Sequence, residues 1–264
     1  MKTRLLIVLL FAIAVALVPA SRGFAITNGQ PDGENHPYVG MGIQFIPGTN
    51  FVYVCSGTLL SPTVFLTAAH CFEPSYGSTV FITTKTSPPF LLANDFVSGT
   101  FHNHPDWCIG CAPGLPGFDT HDVAVVTLDA PMVRSLYGAL PSAGYVDTLG
   151  MKTQVDLVGY GVQGFFRGGG PPTEIFTFTR YYAPSELIAS NHVHSDEFIK
   201  LSANPAQDKG GVCFGDSGGP DLQGGTNLIL AVNSYGTNGN CAGLSYANRV
   251  DLPEILSFIH GYLN

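Results

Sequence analysis

The sequence predicts a turn-rich, all-β protein, and three observations support this fold class. The 264 residues include 32 glycines and 19 prolines, which suits a chain with many tight turns. Charged residues make up only 11% of the chain, which also favours a β protein over a helical one. Finally, short runs of β-forming residues recur along the chain at a spacing typical of sandwiches and barrels.

The first 25 residues are predicted to be a secretory signal peptide. Lys2 and Arg4 precede an uninterrupted apolar run over residues 5–18, and small residues follow it. This run is too short to span a bilayer comfortably, and no comparable run recurs. The mature protein is therefore expected to be soluble, secreted and extracellular.

The charge of the mature chain limits its partners. Removal of residues 1–25 takes away three basic residues and no acid, so the formal net charge changes from −8 to −11. An acidic protein is poorly suited to nucleic acid or to an anionic membrane surface. We expect no nucleic-acid partner, no membrane association after signal removal, no cofactor or bound metal, and a monomer.

The predicted strands fall into two series, separated by a linker at residues 130–144. The first series covers residues 39–46, 51–60, 64–68, 80–84 and 123–128. The second covers residues 153–159, 174–182, 227–234 and 244–250. A single long helix is predicted over residues 251–263, capped by Asp251 and with Pro253 in its first turn.

Six cysteines in an exported chain indicate disulfides, for which 15 pairings are possible. They lie in three neighbouring sets: Cys55 and Cys71, Cys108 and Cys111, and Cys213 and Cys241. For Cys108 and Cys111 a small loop-stapling disulfide is the first interpretation. A zinc site formed with His102 and His104 is a second. Thiol redox activity is the least favoured, because no thioredoxin-like context surrounds the pair.

A glycine-rich stretch at residues 211–220, G-V-C-F-G-D-S-G-G-P, contains the candidate nucleophile Ser217. Glycines allow a tight turn and a close approach of substrate. They also leave backbone N–H groups free to stabilise an oxygen that becomes negative during acyl transfer. A serine hydroxyl is a weak nucleophile until a neighbouring base takes its proton, so the chain must also supply that base.

His70 and Asp122 are the candidates for the base and its orienting group. His70 follows an apolar β run in the segment L-T-A-A-H-C, next to Cys71. Asp122 enters a fully apolar strand in the segment H-D-V-A-V-V. A carboxylate at such a position needs a partner, and holding the Nδ1–H of an imidazole would provide one.

Three segments in the order His, Asp, Ser together resemble the trypsin-like (chymotrypsin-fold) serine proteases. They are T-A-A-H-C at 67–71, H-D-V-A-V at 121–125 and G-D-S-G-G-P at 215–220. The resemblance covers residues 26–264. It implies two six-stranded antiparallel β-barrels, at about residues 26–135 and 136–250, with the active site between them and a helix at residues 251–263.

The resemblance also implies a role for each residue of the site. Ser217 would attack the scissile carbonyl, His70 would act as general base and then general acid, and Asp122 would orient the imidazole. The N–H groups of Gly215 and Ser217 would form the oxyanion hole. Residues 234–236, Ser-Tyr-Gly, would pair with the backbone of the substrate.

The same resemblance places the base of the primary specificity pocket at Gly211, with Gly236 keeping its wall open and Leu244 lining it. Glycine at the base cannot pair with Lys or Arg, and no acid replaces it. We therefore expect an apolar pocket that accepts Phe, Tyr, Leu or Met at P1, the residue before the scissile bond.

Members of this family insert their mature N-terminal ammonium beside the aspartate that precedes the catalytic serine. Ile26 and Asp216 match these two positions, although Thr27-Asn28-Gly29 departs from the usual Val-Gly-Gly. Cleavage by signal peptidase after Ala25 would release Ile26 directly. Cleavage after Ala20 would instead leave a short pro-segment at residues 21–25.

These residues favour a serine endopeptidase that acts on proteins or peptides. A catalytically inactive homologue acting as a binding module is one alternative, and an esterase on the same scaffold is another. An α/β-hydrolase is rejected, because that fold needs a histidine after the serine, and here the only one is His260 in the terminal helix.

Overall fold

The computed structural model describes residues 26–88, 93–166, 173–188 and 196–263. The predicted signal peptide lies outside the described residues. Across these ranges, no helix has both the length and the apolar character needed to cross a membrane.

Fifteen strands and one α-helix make up the regular structure of the described chain. The first seven strands are β1 Gln30–Pro31, β2 Val39–Phe45, β3 Val52–Ser61, β4 Val64–Thr67, β5 Thr79–Thr83, β6 Val97–Asn103 and β7 Ala124–Leu128. The next eight are β8 Gln154–Gly159, β9 Gly164–Phe166, β10 Thr173–Ile175, β11 Tyr181–Glu186, β12 Phe198–Ala203, β13 Pro220–Gln223, β14 Ile229–Gly236 and β15 Gly243–Arg249. The helix, α1, covers Pro253–His260.

Strands β2 to β7 form a closed antiparallel barrel in the order β2-β3-β4-β7-β6-β5. It closes because β2 pairs with both β3 and β5. β-Branched and aromatic residues dominate these strands, as suits a pleated surface packed on its inner face. Fully buried Phe65, Leu66 and Val125 are among the residues that fill the core.

The second barrel contains strands β11-β8-β13-β14-β15-β12 in that order. Strand pairing does not close this sheet as it closes the first barrel: β11 and β12 are not paired as strands, and an isolated bridge between Leu187 and Leu201 joins the end of β11 to β12. The short strand β1 adds to the free part of β11 as a seventh strand. Two antiparallel barrels with one C-terminal helix confirm the predicted fold class.

One predicted strand, residues 174–182, is wrong as a single element. β10 ends at Ile175, and β11 begins only at Tyr181. Phe178 lies between them with a φ of 54°, in the left-handed region, and this breaks an extended run. Strands β1, β6, β9, β12 and β13 were not predicted.

Arg180, just before β11, joins the two barrels. Its guanidinium is fully buried and donates to the Asp32 carboxylate at 2.7 Å. It also donates to the carbonyls of Val39 and Thr84, both from the first barrel, at 3.0 Å. Asp32 in turn accepts hydrogen bonds from the backbone N–H and the ring of His36. A single buried cation therefore links segments from both halves of the chain.

Helix α1 is shorter than predicted, and its predicted cap is wrong. The N-cap residue is Leu252, with no side-chain capping bond. The carboxylate of Asp251 is engaged elsewhere, since it accepts from Arg249 and from the backbone N–H of Val146. The buried face of the helix, at Ile255 and Ile259, belongs to the large core cluster that contains residues of both barrels.

Candidate active site

His70 and Asp122 meet because two paired strands end at the same edge of the first barrel. β4 and β7 are antiparallel neighbours, and Thr67 at the end of β4 lies opposite Ala124 at the start of β7. His70 follows the first strand and Asp122 precedes the second. His70 Nδ1 lies 2.6 Å from Asp122 Oδ2, and the His70 backbone N–H donates to Asp122 Oδ1 at 2.8 Å.

Ser234, at the end of β14, brings the second barrel into this site. Its hydroxyl donates to Asp122 Oδ2 at 2.5 Å. The fully buried Asp122 carboxylate thus accepts three hydrogen bonds from two residues. The sequence assigned the Ser234 segment to substrate binding only, so this support for Asp122 is an additional role.

The charges of the pair shift both pKa values. Burial opposes ionisation of Asp122, but the His70 charge and the bonds from His70 and Ser234 keep its pKa below the ordinary value. Removal from water likewise opposes a charged His70, but the Asp122 carboxylate outweighs this and raises the pKa of His70. The His70 side chain remains 31% exposed, so it is open to substrate.

The Ser217 loop is fixed against the first barrel by Ser56. The Ser56 backbone N–H donates to the Ser217 carbonyl, and its hydroxyl donates to the Gly215 carbonyl, both at 2.8 Å. Gly218 lies so close to the strand before His70 that a Cβ there would stand 2.1 Å from Thr67 Oγ1. The loop carrying Ser217 thus packs directly against the strand leading to His70.

Two backbone N–H groups of this loop are available to a ligand. Among the described residues, the N–H groups of Gly215 and Ser217 donate to no protein acceptor. The Ser217 hydroxyl makes no hydrogen bond to His70 among these residues either. Such catalytic bonds commonly tighten only when substrate binds. Gly215 has a φ of 92°, a conformation that favours glycine.

Asp216 lies fully buried beneath the loop. Its carboxylate accepts from the backbone N–H groups of Gly161 at 2.8 Å and Cys213 at 2.9 Å. Burial nevertheless raises its pKa to about 7. Gly161 is needed here, because a Cβ would stand 2.5 Å from the carboxylate carbon. Ile26 is also fully buried, and the next residue, Thr27, pairs with Gly211.

A cavity of about 330 Å³ opens beside the Ser217 loop. It is lined by residues 212–214, 234–239 and 241. Of the predicted substrate-binding residues, Ser234, Tyr235 and Gly236 lie in this wall. Gly211 is buried next to the lining residue Val212, and Leu244 packs against the cluster that contains Phe198 and Tyr246, outside the lining. The sequence did not single out Val212 or Phe214, since neither carries reactive chemistry.

All six cysteines are paired as the three neighbouring sets predicted. The disulfides join Cys55 to Cys71, Cys108 to Cys111 and Cys213 to Cys241. The Cys55–Cys71 disulfide holds the residue after His70 against β3. The Cys213–Cys241 disulfide joins two residues that line the cavity. The second corresponds to the loop-stapling interpretation of Cys108 and Cys111.

The alternative zinc set does not come together in the described structure. His102 Nε2 lies 3.1 Å from Thr127 Oγ1, and the His104 ring stacks on His121. The described residues gather three potential metal ligands at one point, Cys55, His70 and Cys71. Both cysteines there are in a disulfide, and His70 is held by Asp122.

Sequence comparisons place these features in a family. The family model for Trypsin matches residues 28–258. Serine protease 1 of Drosophila melanogaster is 23% identical over 252 residues, covering 90% of this chain and 83% of the fly protein. The vitamin K-dependent protein C of Rattus norvegicus is 28% identical over 224 residues, covering 79% of this chain and 46% of the rat protein.

Solved structures share the fold. The chain is similar to an HL collagenase structure with a TM-score of 0.65 and 16% identity, covering 94% of this chain and 98% of the other. It is also similar to the human heparin binding protein, with a TM-score of 0.63 and 18% identity, covering 89% and 96%. Together with the match to the family model over most of its length, these results show that the chain belongs to the trypsin family.

Proposed function

We propose that this protein is a secreted serine endopeptidase that hydrolyses peptide bonds through an acyl-enzyme. The observation that supports this most directly is the hydrogen-bonded arrangement of His70, Asp122 and Ser234 facing the Ser217 loop. All three groups of a Ser–His–Asp triad are present, which favours an active enzyme over a binding module. The acyl chemistry alone does not separate peptides from esters.

In the proposed mechanism, Ser217 Oγ attacks the scissile carbonyl while His70 Nε2 takes its proton. His70 then gives this proton to the leaving amine, and a water molecule activated in the same way hydrolyses the acyl-enzyme. Asp122 holds Nδ1–H, which fixes the tautomer and stabilises the imidazolium. The N–H groups of Gly215 and Ser217 would stabilise the oxyanion.

The cavity beside Ser217 is the proposed site for the P1 side chain. Val212 and the Cys213–Cys241 disulfide give its walls an apolar character, and the described lining residues include no charged side chain. This supports the preference for Phe, Tyr, Leu or Met expected from the sequence.

The proposed activation pair joins the Ile26 ammonium to Asp216. Ile26 is buried, its neighbour pairs with Gly211, and the Asp216 carboxylate has only neutral backbone donors among the described residues. A buried carboxylate is stabilised by a nearby cation, which lowers its pKa. Cleavage after Ala25 would provide that cation.

Replacement of Ser217 by Ala tests the assignment of the nucleophile. We expect the rate of casein and peptide hydrolysis to fall by about 10⁶-fold, the size found for Ser–His–Asp triads. Far-ultraviolet circular dichroism serves as the control for folding. Equal activity of both proteins would contradict the mechanism, and no activity in either would favour the binding module. Ester hydrolysis without peptide hydrolysis would favour the esterase.

The pH dependence tests the coupling of His70 to Asp122. Only neutral His70 can accept the serine proton, so kcat/KM should fall as the pH decreases through a pKa raised above about 6.5. The Asp122→Asn variant lacks the negative charge that raises the pKa of His70. The midpoint should move to lower pH, and the rate should fall by about 10⁴-fold, as established for triads of this family. A wild-type midpoint below that of the variant would contradict the coupling.

The P1 preference is tested with a panel of peptides that differ only at P1. We expect the highest kcat/KM with Phe, Tyr, Leu or Met, because the described lining of the cavity offers no carboxylate to pair with a cation. Hydrolysis that is fastest after Arg or Lys would refute this.

N-terminal sequencing of the active secreted protein tests the activation pair. We expect the chain to begin at Ile26, because a longer N-terminus cannot place its ammonium beside Asp216. Asp216→Asn should lower activity although it keeps the side-chain volume. Fully active material beginning at Ser21 would exclude this pair.

A further inference from the structure

A second cavity, of about 570 Å³, lies where the two barrels meet. Its wall is formed by β1, the segment before β2, strands β8 and β11, and the turn between β13 and β14. Among the described residues, it shares no lining residue with the cavity beside Ser217. Its volume falls in the range of roughly 300–1,000 Å³ that is typical of small-molecule sites.

The ring of His36 is held in one orientation at the wall of this cavity. Its Nδ1 lies 2.5 Å from Asp32 Oδ1, and its backbone N–H donates to Asp32 Oδ2 at 3.1 Å. Asp32 is itself fixed by the buried Arg180 guanidinium, which donates to it at 2.7 Å. In a neutral His36 this arrangement places the proton on Nδ1 and leaves Nε2 as an acceptor. Nε2 has no hydrogen-bond partner in the described part of the chain.

Two tyrosines flank this ring and bring hydroxyls that the protein does not use. Tyr38 meets the His36 ring edge-on with centroids 6.0 Å apart, and the tilted ring of Tyr182 lies at 5.8 Å. Tyr38 is only 1% exposed, yet its hydroxyl bonds to no protein group within the described ranges. Burial, followed by the charges of Asp32 and Asp156, raises the pKa of Tyr38, so its hydroxyl stays protonated. A buried hydroxyl is stable only when it is hydrogen-bonded, which indicates a partner inside the cavity.

The opposite wall carries two fixed side chains, Asp156 and Asn227. Asp156 Oδ2 accepts from the Gly225 N–H, and Asn227 Nδ2 donates to the Tyr137 carbonyl, both at 2.7 Å. The Oδ1 atom of each side chain has no protein partner among the residues that the structure describes. Each side chain is therefore held by one polar atom and keeps a second one for a ligand.

The chemistry of this wall decides between classes of ligand. An apolar ligand would leave the Tyr38 hydroxyl unpaired, and an anion would meet the Asp156 carboxylate. The phenol groups of Tyr38 and Tyr182 can donate, whereas His36 Nε2 and Asp156 Oδ1 can only accept when the imidazole is neutral and the carboxylate ionised. A ligand hydroxyl both donates and accepts, so adjacent hydroxyls match a wall that offers both kinds of group.

We propose that this cavity is a saccharide-binding site, which takes one or two sugar units. Tyr38 and Tyr182 would donate to oxygens of the sugar, and His36 and Asp156 would accept from its hydroxyls. The site does not depend on peptide hydrolysis, so it can be tested in the Ser217→Ala variant, in which any self-digestion is also avoided.

The test measures the binding of cellobiose, maltose and N,N′-diacetylchitobiose to Ser217→Ala by saturation-transfer NMR and calorimetry. We expect at least one of the three to bind at millimolar concentration. Tyr38→Phe in the same background removes one hydroxyl and no bond within the described protein, so it should raise the Kd by about 3- to 10-fold, the size expected for one hydrogen bond. Tyr182→Phe should have a similar effect, and it serves if the Tyr38 variant does not fold.

Tyr53→Phe is the matched control, because Tyr53 lies on β3 outside this cavity and is 43% exposed. It should keep the Kd of the parent. The hexasaccharide of the sugar that binds distinguishes the source of the ligand: tighter binding than the disaccharide would assign the site to a polysaccharide chain, and equal binding to a free sugar or a chain end.

The proposal is refuted if none of the three sugars binds, or if both tyrosine variants bind the sugar as tightly as their parent. Binding of spermidine in place of every sugar would also refute it, because the site would then serve a cation through Asp156.

Discussion

The burial of one charge, the Asp122 carboxylate, determines how the two barrels meet. A carboxylate removed from water is stable only if hydrogen bonds replace its hydration. Here the first barrel supplies the backbone and ring of His70, and the second supplies the Ser234 hydroxyl. Displacing the barrels would leave this charge with fewer donors, so the same bonds that orient His70 also fix the cleft.

Two buried aspartates near Ser217 differ in their surroundings, and their pKa values differ accordingly. Around Asp122 the imidazole and the hydroxyl outweigh the cost of burial, and the pKa is lowered. Around Asp216 the hydrogen bonds from two neutral N–H groups do not outweigh the cost of burial, and the pKa rises to about 7. At Asp216 the bonds from the N–H groups of Cys213 and Gly161 therefore lower the pKa by less than burial raises it.

Local signals were enough to predict an all-β fold, from the recurring β runs, and the resemblance of three short motifs implied the barrels and the contact of His70 with Asp122. The sequence did not predict contacts between residues that lie far apart along the chain and meet only in the folded structure. The bonds from Ser56 to the carbonyls of Gly215 and Ser217 are one example, because these residues lie far apart in the sequence. Asp251 was expected to cap the helix, but its carboxylate accepts from Arg249 and from the Val146 N–H instead. Arg180 was not singled out, because nothing in its local sequence indicates burial.

The position of Arg180 has a consequence for the way the molecule unfolds. Arg180 comes from the second half of the chain, and its guanidinium donates to Asp32, Val39 and Thr84 from the first half, so separation of the two halves would leave this group without those acceptors. Leaving such a buried charge without partners costs roughly 3–5 kcal/mol. Half-open forms, in which one barrel is loose and the other intact, are therefore penalised relative to both end states. This favours a single cooperative unfolding transition over one in which the two barrels open separately.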